Sequence, residues 1–262
     1  MRLTGKVVVV TGGSMGIGEA IGRVFAGEGA SVVLLSREAS RAEAARQRIG
    51  FTDRTLALAC DVRHREEIDR AVKLTLERFK RIDIWVNNAG YGVKDYFADM
   101  DVDACRELFA TNFFGALDGM KAVIPVMKQQ NSGAIINISS VAGHFAFPGG
   151  SAYCATKFAL NAASRAARLE LRKSNINVLT VCPGYVSTNF SANVVAGERF
   201  KNAKSKAFNS ISPERVARAA LSGYLRKKRE IIVPWTMIPI VKLYQLFPRF
   251  AEWGMQRTGA AD

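Results

Sequence analysis

A chain of 262 residues with 48% apolar and 23% charged side chains can bury a full hydrophobic core, which excludes both a disordered and a fibrous protein. Its formal net charge of +14 favours anionic partners, whether phosphorylated cofactors, anionic lipid surfaces or nucleic acid. Cys60, Cys105, Cys154 and Cys182 are scattered with no CxxC pair and no neighbouring histidine, which argues against a zinc site or a disulfide framework and for a reducing, cytoplasmic setting.

Met1 to Gly5 lead straight into an apolar strand, so no signal peptide is expected. Strands are predicted over 6–11, 31–36, 55–60, 82–87, 134–139, 177–182 and 230–233, and runs this apolar suit a parallel sheet covered on both faces. Helices are predicted over 17–28, 40–49, 65–79, 105–127, 152–173 and 213–226. The alternation predicts one α/β domain spanning 1–262, a doubly wound parallel sheet of about seven strands with helices on both faces. The late apolar stretch 231–247 contains Pro234, Pro239 and Lys242 and is too short for a transmembrane helix.

The first strand runs into Thr11-Gly12-Gly13-Ser14-Met15-Gly16-Ile17-Gly18. Glycines at a strand-to-helix turn allow a tight bend and a close backbone approach to a pyrophosphate, and the helix N-terminus offers free N–H groups to it. Gly12, Ser14, Gly16, Ile17 and Gly18 are therefore candidate cofactor contacts. The second strand ends at Ser36-Arg37, where an acid would hold the ribose hydroxyls of NAD. A hydroxyl and a guanidinium instead bind a 2′-phosphate, which favours NADP(H) over NAD(H). After the third strand, Asp61 and Val62 are placed to meet an adenine, and Asp61 equally suits a cap for the helix beginning near His64.

Asn87-Asn88-Ala89-Gly90 close the fourth strand; Asn112, Ser139-Ser140 and Tyr153-Cys154-Ala155-Thr156-Lys157 follow. Tyr153 and Lys157 are one helical turn apart and share a face. Free tyrosine titrates near pH 10, and a neighbouring ammonium favours the phenolate, so the pair suits proton exchange at a substrate oxygen.

These motifs, TGxxxGxG, NNAG, Asn, Ser, YxxxK and PG in that order over roughly 6–188, resemble the short-chain dehydrogenase/reductase family. The resemblance implies a Rossmann-like fold and an NAD(P)-dependent enzyme interconverting a carbonyl and an alcohol. It implies that Tyr153 is the general acid/base, that Lys157 lowers its pKa and bonds the nicotinamide ribose, and that Ser140 positions the substrate oxygen. Asn112 would interrupt its helix and hold a water linking Lys157 to solvent. Asn88, Ala89 and Gly90 would shape the cofactor side of the fourth strand end, and Pro183, Gly184, Val186 and Thr188 would hold the carboxamide. His144 is placed either at the substrate pocket or in a plain loop.

Residues 189–210 fall where the family places a substrate lid. Residues 234–262 form an apolar, aromatic extension, unlike the Asp-Gly-Gly segment that follows the last strand in oxoacyl-carrier-protein reductases and many tetrameric relatives. It resembles extensions of members that reduce lipophilic ketones, so an apolar ketone, aldehyde or lipid-like substrate is expected. A dimer through the helices holding Asn112 and Tyr153 is expected from the family. The extension either covers the protein itself or a partner copy, or, beside the basic residues Arg226, Lys227, Lys228 and Arg229, makes peripheral membrane contact. The alternative to an enzyme is a dinucleotide-binding redox sensor without turnover, which such proteins usually signal by losing catalytic residues present here. A nucleic-acid partner is not expected, because no reading motif accompanies the charge.

Overall fold

In the computed structural model, residues 1–188, 194–197, 200 and 210–257 are described; most of the expected lid lies outside them. In chain order the elements are β1 (Val7–Thr11), α1 (Gly16–Gly27), β2 (Ser31–Ser36), α2 (Ala39–Ile49), β3 (Thr55–Ala59), α3 (Arg65–Phe79), β4 (Ile84–Asn87) and β5 (Val93–Lys94). There follow α4 (Val102–Phe109), a π turn (Ala110–Phe114), α5 (Gly115–Gln129), β6 (Gly133–Ile138), a 3-10 turn (Val141–Gly143), α6 (Ser151–Glu170) and β7 (Ile176–Pro183). β8 (Val195–Ala196), α7 (Pro213–Leu225), β9 (Glu230–Val233), α8 (Met237–Leu246) and α9 (Pro248–Arg257) complete the described chain.

Seven strands form one parallel sheet in the order β3-β2-β1-β4-β6-β7-β9. All seven predicted strands are present. The branched residues of β1 and β2 alternate between two cores. Val8, Val10, Val32 and Leu34 meet Ile21 and Phe25 of α1 and Val216 and Ala220 of α7. Val9, Val33 and Leu35 meet Ile68 of α3 and Val123 and Met127 of α5. Both faces are thus covered, as the unbroken apolar runs require. Because the order reverses between β1 and β4, the connections leave a crevice at the carboxyl ends of these strands, where open α/β sheets bind ligands.

The helix expected over 105–127 is interrupted at Asn112, as the family resemblance implied, and the break takes the form of a π turn. One feature departs from the sequence expectation: β5 pairs with β8 as a separate two-stranded ladder. The C-terminal extension is helical over α8 and α9, and one side of it packs on the protein itself: Val241, 2% exposed, lies with Val141 and Phe145, and the Tyr244 ring lies 5.8 Å from that of Phe145, tilted by 45°. Its other side leaves Trp235, Leu246, Phe247, Phe250 and Trp253 exposed. The basic run Arg226 to Arg229 precedes β9, whereas α8 leaves from the far end of that strand. The cations on the extension itself are Lys242, Arg249 and Arg257, all exposed.

Candidate active site

The glycine turn closes tightly at the end of β1. Gly12 (φ +62°) and Gly16 (φ +56°) adopt the left-handed conformation that glycine tolerates. A Cβ at Gly18 would lie 2.2 Å from the Gly12 carbonyl, and one at Gly12 would lie 2.9 Å from Ala89 Cα. The turn is braced from β4: Asn88 Nδ2 donates to Thr11 O at 3.0 Å and Gly12 O at 3.1 Å, and Thr11 Oγ1 accepts from the N–H groups of Asn88 and Ala89. Met15, the N-cap of α1, makes no side-chain cap. The first turn of α1 around Ile17 therefore has no side-chain acceptor from that residue, and its positive dipole end suits an anion.

Beside this turn lies a cleft of about 470 Å³ lined by Ser14, Met15, Gly16, Arg41, Arg48 and Thr188, among others. Ser36 Oγ donates to Ser14 Oγ at 3.2 Å. Arg48 donates to Ser14 O at 3.1 Å and pairs with Glu19 at 2.8 Å. Arg41 pairs with Glu38 at 2.9 Å, and Arg37 is exposed at the end of β2. The turn, the helix end and the basic cleft together fit a dinucleotide with its phosphates. Sequence reasoning missed Arg48, which sits at the far end of α2 and reaches the turn only through the fold.

Asp61 does not cap α3. His64 is the N-cap, without a side-chain bond; the Asp61 carboxylate takes Arg63 instead, through Nη2 at 2.7 Å, Nε and the backbone N–H. Arg63 wins because it reaches the carboxylate from two residues away and is itself fixed by Glu107 at 2.8 Å. Val62 packs against the bare Cα of Gly115 in α5.

Asn112 is 1% exposed. The π turn aims its amide at the loop after β4, where Oδ1 accepts from Tyr91 N at 3.1 Å and Nδ2 donates to Tyr91 O at 2.9 Å and Thr156 Oγ1 at 3.3 Å. Gly90 must be small there, since a Cβ would lie 2.9 Å from Asn112 Oδ1. Behind it, Trp85 donates to Asn87, Asn87 to Asn137, and Asn137 to Ser164, at 2.7, 2.8 and 2.8 Å. This buried chain ties β4, β6 and α6 together. Asn137 interrupts an otherwise apolar strand, a signal visible in the sequence and passed over.

Ser140, Tyr153 and Lys157 converge. Ser140 Oγ hydrogen-bonds Tyr153, donates to Pro183 O at 3.4 Å and accepts from Ala142 N at 3.1 Å. Ser139 instead turns inward to the Lys157 carbonyl at 3.5 Å. Lys157 Nζ donates to Ile138 O at 3.1 Å and lies 5.7 Å from the Tyr153 ring centroid. Burial pushes the Tyr153 phenol up to about 12, with Ser140 pulling the other way, and burial draws Lys157 down to about 8. Desolvation of the phenol sets this direction, and the Ser140 hydroxyl is the group that opposes it. Gly184 N donates to Val233 O at 2.7 Å, and Thr188 leans over the glycine turn, 3.3 Å from where a Gly16 Cβ would sit. Val186 bridges to Ile211.

The chain matches the family model described as short chain dehydrogenase over residues 6–199. It belongs to the short-chain dehydrogenase/reductase family. A dehydrogenase/reductase SDR family protein 7-like of Drosophila melanogaster is 33% identical over 98% of this chain and 81% of its own length. Among solved structures, a short-chain dehydrogenase from Streptomyces avermitilis superposes with a TM-score of 0.83 at 28% identity, covering 97% of both chains. A 3-ketoacyl-(acyl-carrier-protein) reductase from Brucella melitensis, complexed with NADH, gives 0.79 at 26% identity over 88% of this chain and 97% of that one. This short-chain dehydrogenase/reductase is accordingly an oxidoreductase of a family that binds NAD(H) or NADP(H). Among the described residues no helix is long and apolar enough to cross a membrane.

Proposed function

We propose that this protein is a cytoplasmic NADP(H)-dependent enzyme, one domain throughout, that interconverts an apolar ketone, aldehyde or lipid-like carbonyl with its alcohol. The observation that carries the reading is the convergence of Ser140, which follows β6, with Tyr153 and Lys157 of α6. Gly12, Ser14, Gly16, Ile17 and Gly18 would hold the pyrophosphate, Ser36 and Arg37 the 2′-phosphate, and Asp61 and Val62 the adenine. Asn88, Ala89, Gly90, Pro183, Gly184, Val186 and Thr188 would surround the nicotinamide, with Tyr153 and Lys157 at its ribose. When bound, the dinucleotide supplies or accepts a hydride. Tyr153 gives a proton to the substrate oxygen in reduction and takes it back in oxidation, while the Ser140 hydroxyl orients and polarises that oxygen. Asn112 spends its amide on Tyr91 and Thr156, so any relay water near Lys157 is left its main-chain carbonyl.

The test is hydride transfer followed with NADPH and NADH against ketones of graded apolar size. Turnover should improve with apolar size and favour NADPH. Arg37→Glu should raise KM for NADPH about 10–100-fold, the worth of one charge-assisted contact, and leave NADH nearly unchanged. An unaltered KM for NADPH would remove Arg37 from the phosphate site.

Two further readings concern surfaces. The exposed Phe114 and Phe158 on the helices bearing Asn112 and Tyr153 support a homodimer across them. The exposed aromatic side of α8 and α9, with Lys242, Arg249 and Arg257, supports docking on an anionic bilayer. The protein should float with phosphatidylserine vesicles, release at high salt, and lose binding when Phe247 and Trp253 are both replaced by Glu, with turnover of a water-soluble ketone unchanged. Flotation unaffected by that double change would place the contact elsewhere.

A further inference from the structure

An interior polar atom without a partner is costly to bury, so such atoms call for an occupant or a reason. Among the described residues three buried side-chain atoms have no hydrogen-bond partner: His144 Nε2, Asn161 Oδ1 and Thr180 Oγ1. They belong to one region. Leu179 and Val181 of β7 point into the α1 and α7 layer, so Thr180 and Cys182 point to the other face, where α6 carries Asn161. Asn161 Nδ2 donates to Gly143 O at 2.9 Å, next in the chain to His144.

His144 therefore does not reach the surface as a plain loop residue would. Its side chain is 3% exposed, with Nε2 3.6 Å from Glu230 Oε1. Glu230 opens β9 opposite Thr180 in the parallel register, two residues from the partner of Cys182. Arg165 takes the outer oxygen, Oε2, at 3.3 Å, which leaves Oε1 turned inward. One ligand atom each from His144, Cys182 and Glu230 lie within 4.8 Å of one another.

We propose that His144, Cys182 and Glu230 form a binding site for a divalent d-block cation of the zinc class. An imidazole nitrogen, a thiolate and a carboxylate are zinc's ordinary ligands, with bonds of about 2.0–2.3 Å that set tetrahedral ligand atoms about 3.3–3.8 Å apart. The His144–Glu230 separation of 3.6 Å already has that value, and the thiol needs to close by about 1.5 Å at most. Magnesium and calcium, which require oxygen ligands, do not suit the set. Thr180 Oγ1, orphaned on the same face, or a water completes the fourth position. Thiolate and carboxylate neutralise the ion, while Arg165 orients the carboxylate and offsets part of the attraction. The residue spacing alone argues against a zinc site, because 37 residues separate His144 from Cys182 and 47 separate Cys182 from Glu230. Folding removes that objection by pairing β7 with β9 and laying the His144 loop over them. An ion there would staple the loop after Ser140 to the strand that ends at Pro183.

The test uses the full chain, stripped with a chelator and titrated with Co²⁺ and then Zn²⁺. One equivalent of Co²⁺ should bind with thiolate-to-cobalt charge-transfer absorption in the near ultraviolet, and Zn²⁺ should raise Tm. The absorption should vanish in Cys182→Ser. Losing a group that only orients a metal ligand costs about 10–100-fold in affinity, so His144→Gln should weaken binding by more than that and abolish the Tm shift. Wild-type protein that shows neither the absorption nor the shift overturns the site, and leaves the orphan atoms to a buried water. Absorption that persists in Cys182→Ser also overturns it, by assigning the ion to Cys60, Cys105 or Cys154. If Cys182→Ser does not fold, the wild-type and His144→Gln titrations decide by the same criteria.

Discussion

Replacing Tyr153 with phenylalanine is expected to lower kcat by about 10²–10⁴-fold, the ordinary worth of a positioned acid–base group, while NADPH binding survives. The change removes one oxygen and keeps the ring, which packs with Val93, Leu108 and Ala152, so the fold should persist. Ser140 then loses its hydroxyl partner but keeps Ala142 N and Pro183 O. The proton has no other source of suitable chemistry at that point: Lys157 Nζ is turned to the Ile138 carbonyl. A phenol held up to about 12 keeps its proton at neutral pH and is set for reduction; oxidation needs the phenolate and should therefore accelerate as pH rises. Single-turnover reduction and cofactor fluorescence, measured on the same variant, separate the two effects. Wild-type turnover in Tyr153→Phe would falsify the acid–base assignment, whereas lost cofactor binding would point to a collapsed site.

What the sequence made legible follows from its periodicities. The seven strands are read from apolar runs because a sheet covered on both faces permits little else in them. The glycine turn is read because backbone geometry leaves only glycine at Gly12, Gly16 and Gly18. The rest depends on contacts between distant segments. The break at Asn112 is implied by the family resemblance, but its π form depends on where the amide can reach Tyr91 and Thr156. Arg48 reaches Ser14, and His144 reaches Glu230, only after three or more elements have packed. Asp61 could be read as a cap because capping is a local rule, and it was Arg63, held by Glu107 of another helix, that took the carboxylate. The β5–β8 ladder is two residues on each side, too short for any alternation to register.

Lys157→Met should reverse sign in its effect on stability as pH rises. Burial draws the ammonium from its ordinary 10.5 down to about 8, so between these values the unfolded chain holds a proton that the folded chain has released. Folding stability from this group consequently rises with pH from 8 to 10.5 and is lost as pH falls through 8. The full difference is about 3 kcal/mol. Methionine fills the same buried channel without a charge, and removes that cost. It also leaves the Ile138 carbonyl without its donor, a penalty of about 1–3 kcal/mol that does not depend on pH. At pH 7 the variant should therefore equal or exceed wild type in stability, and by pH 10.5 it should fall below. Tyr153, raised to about 12, makes stability fall above pH 10 in both proteins and largely cancels in their difference. Urea unfolding of the two cofactor-free proteins across pH 7–10.5 measures the slope; a flat difference would show that the ammonium is solvated. A lysine that opposes folding at neutral pH and lies against the Tyr153 ring is explained by the charge it carries there, since an apolar side chain would pack the position at less cost.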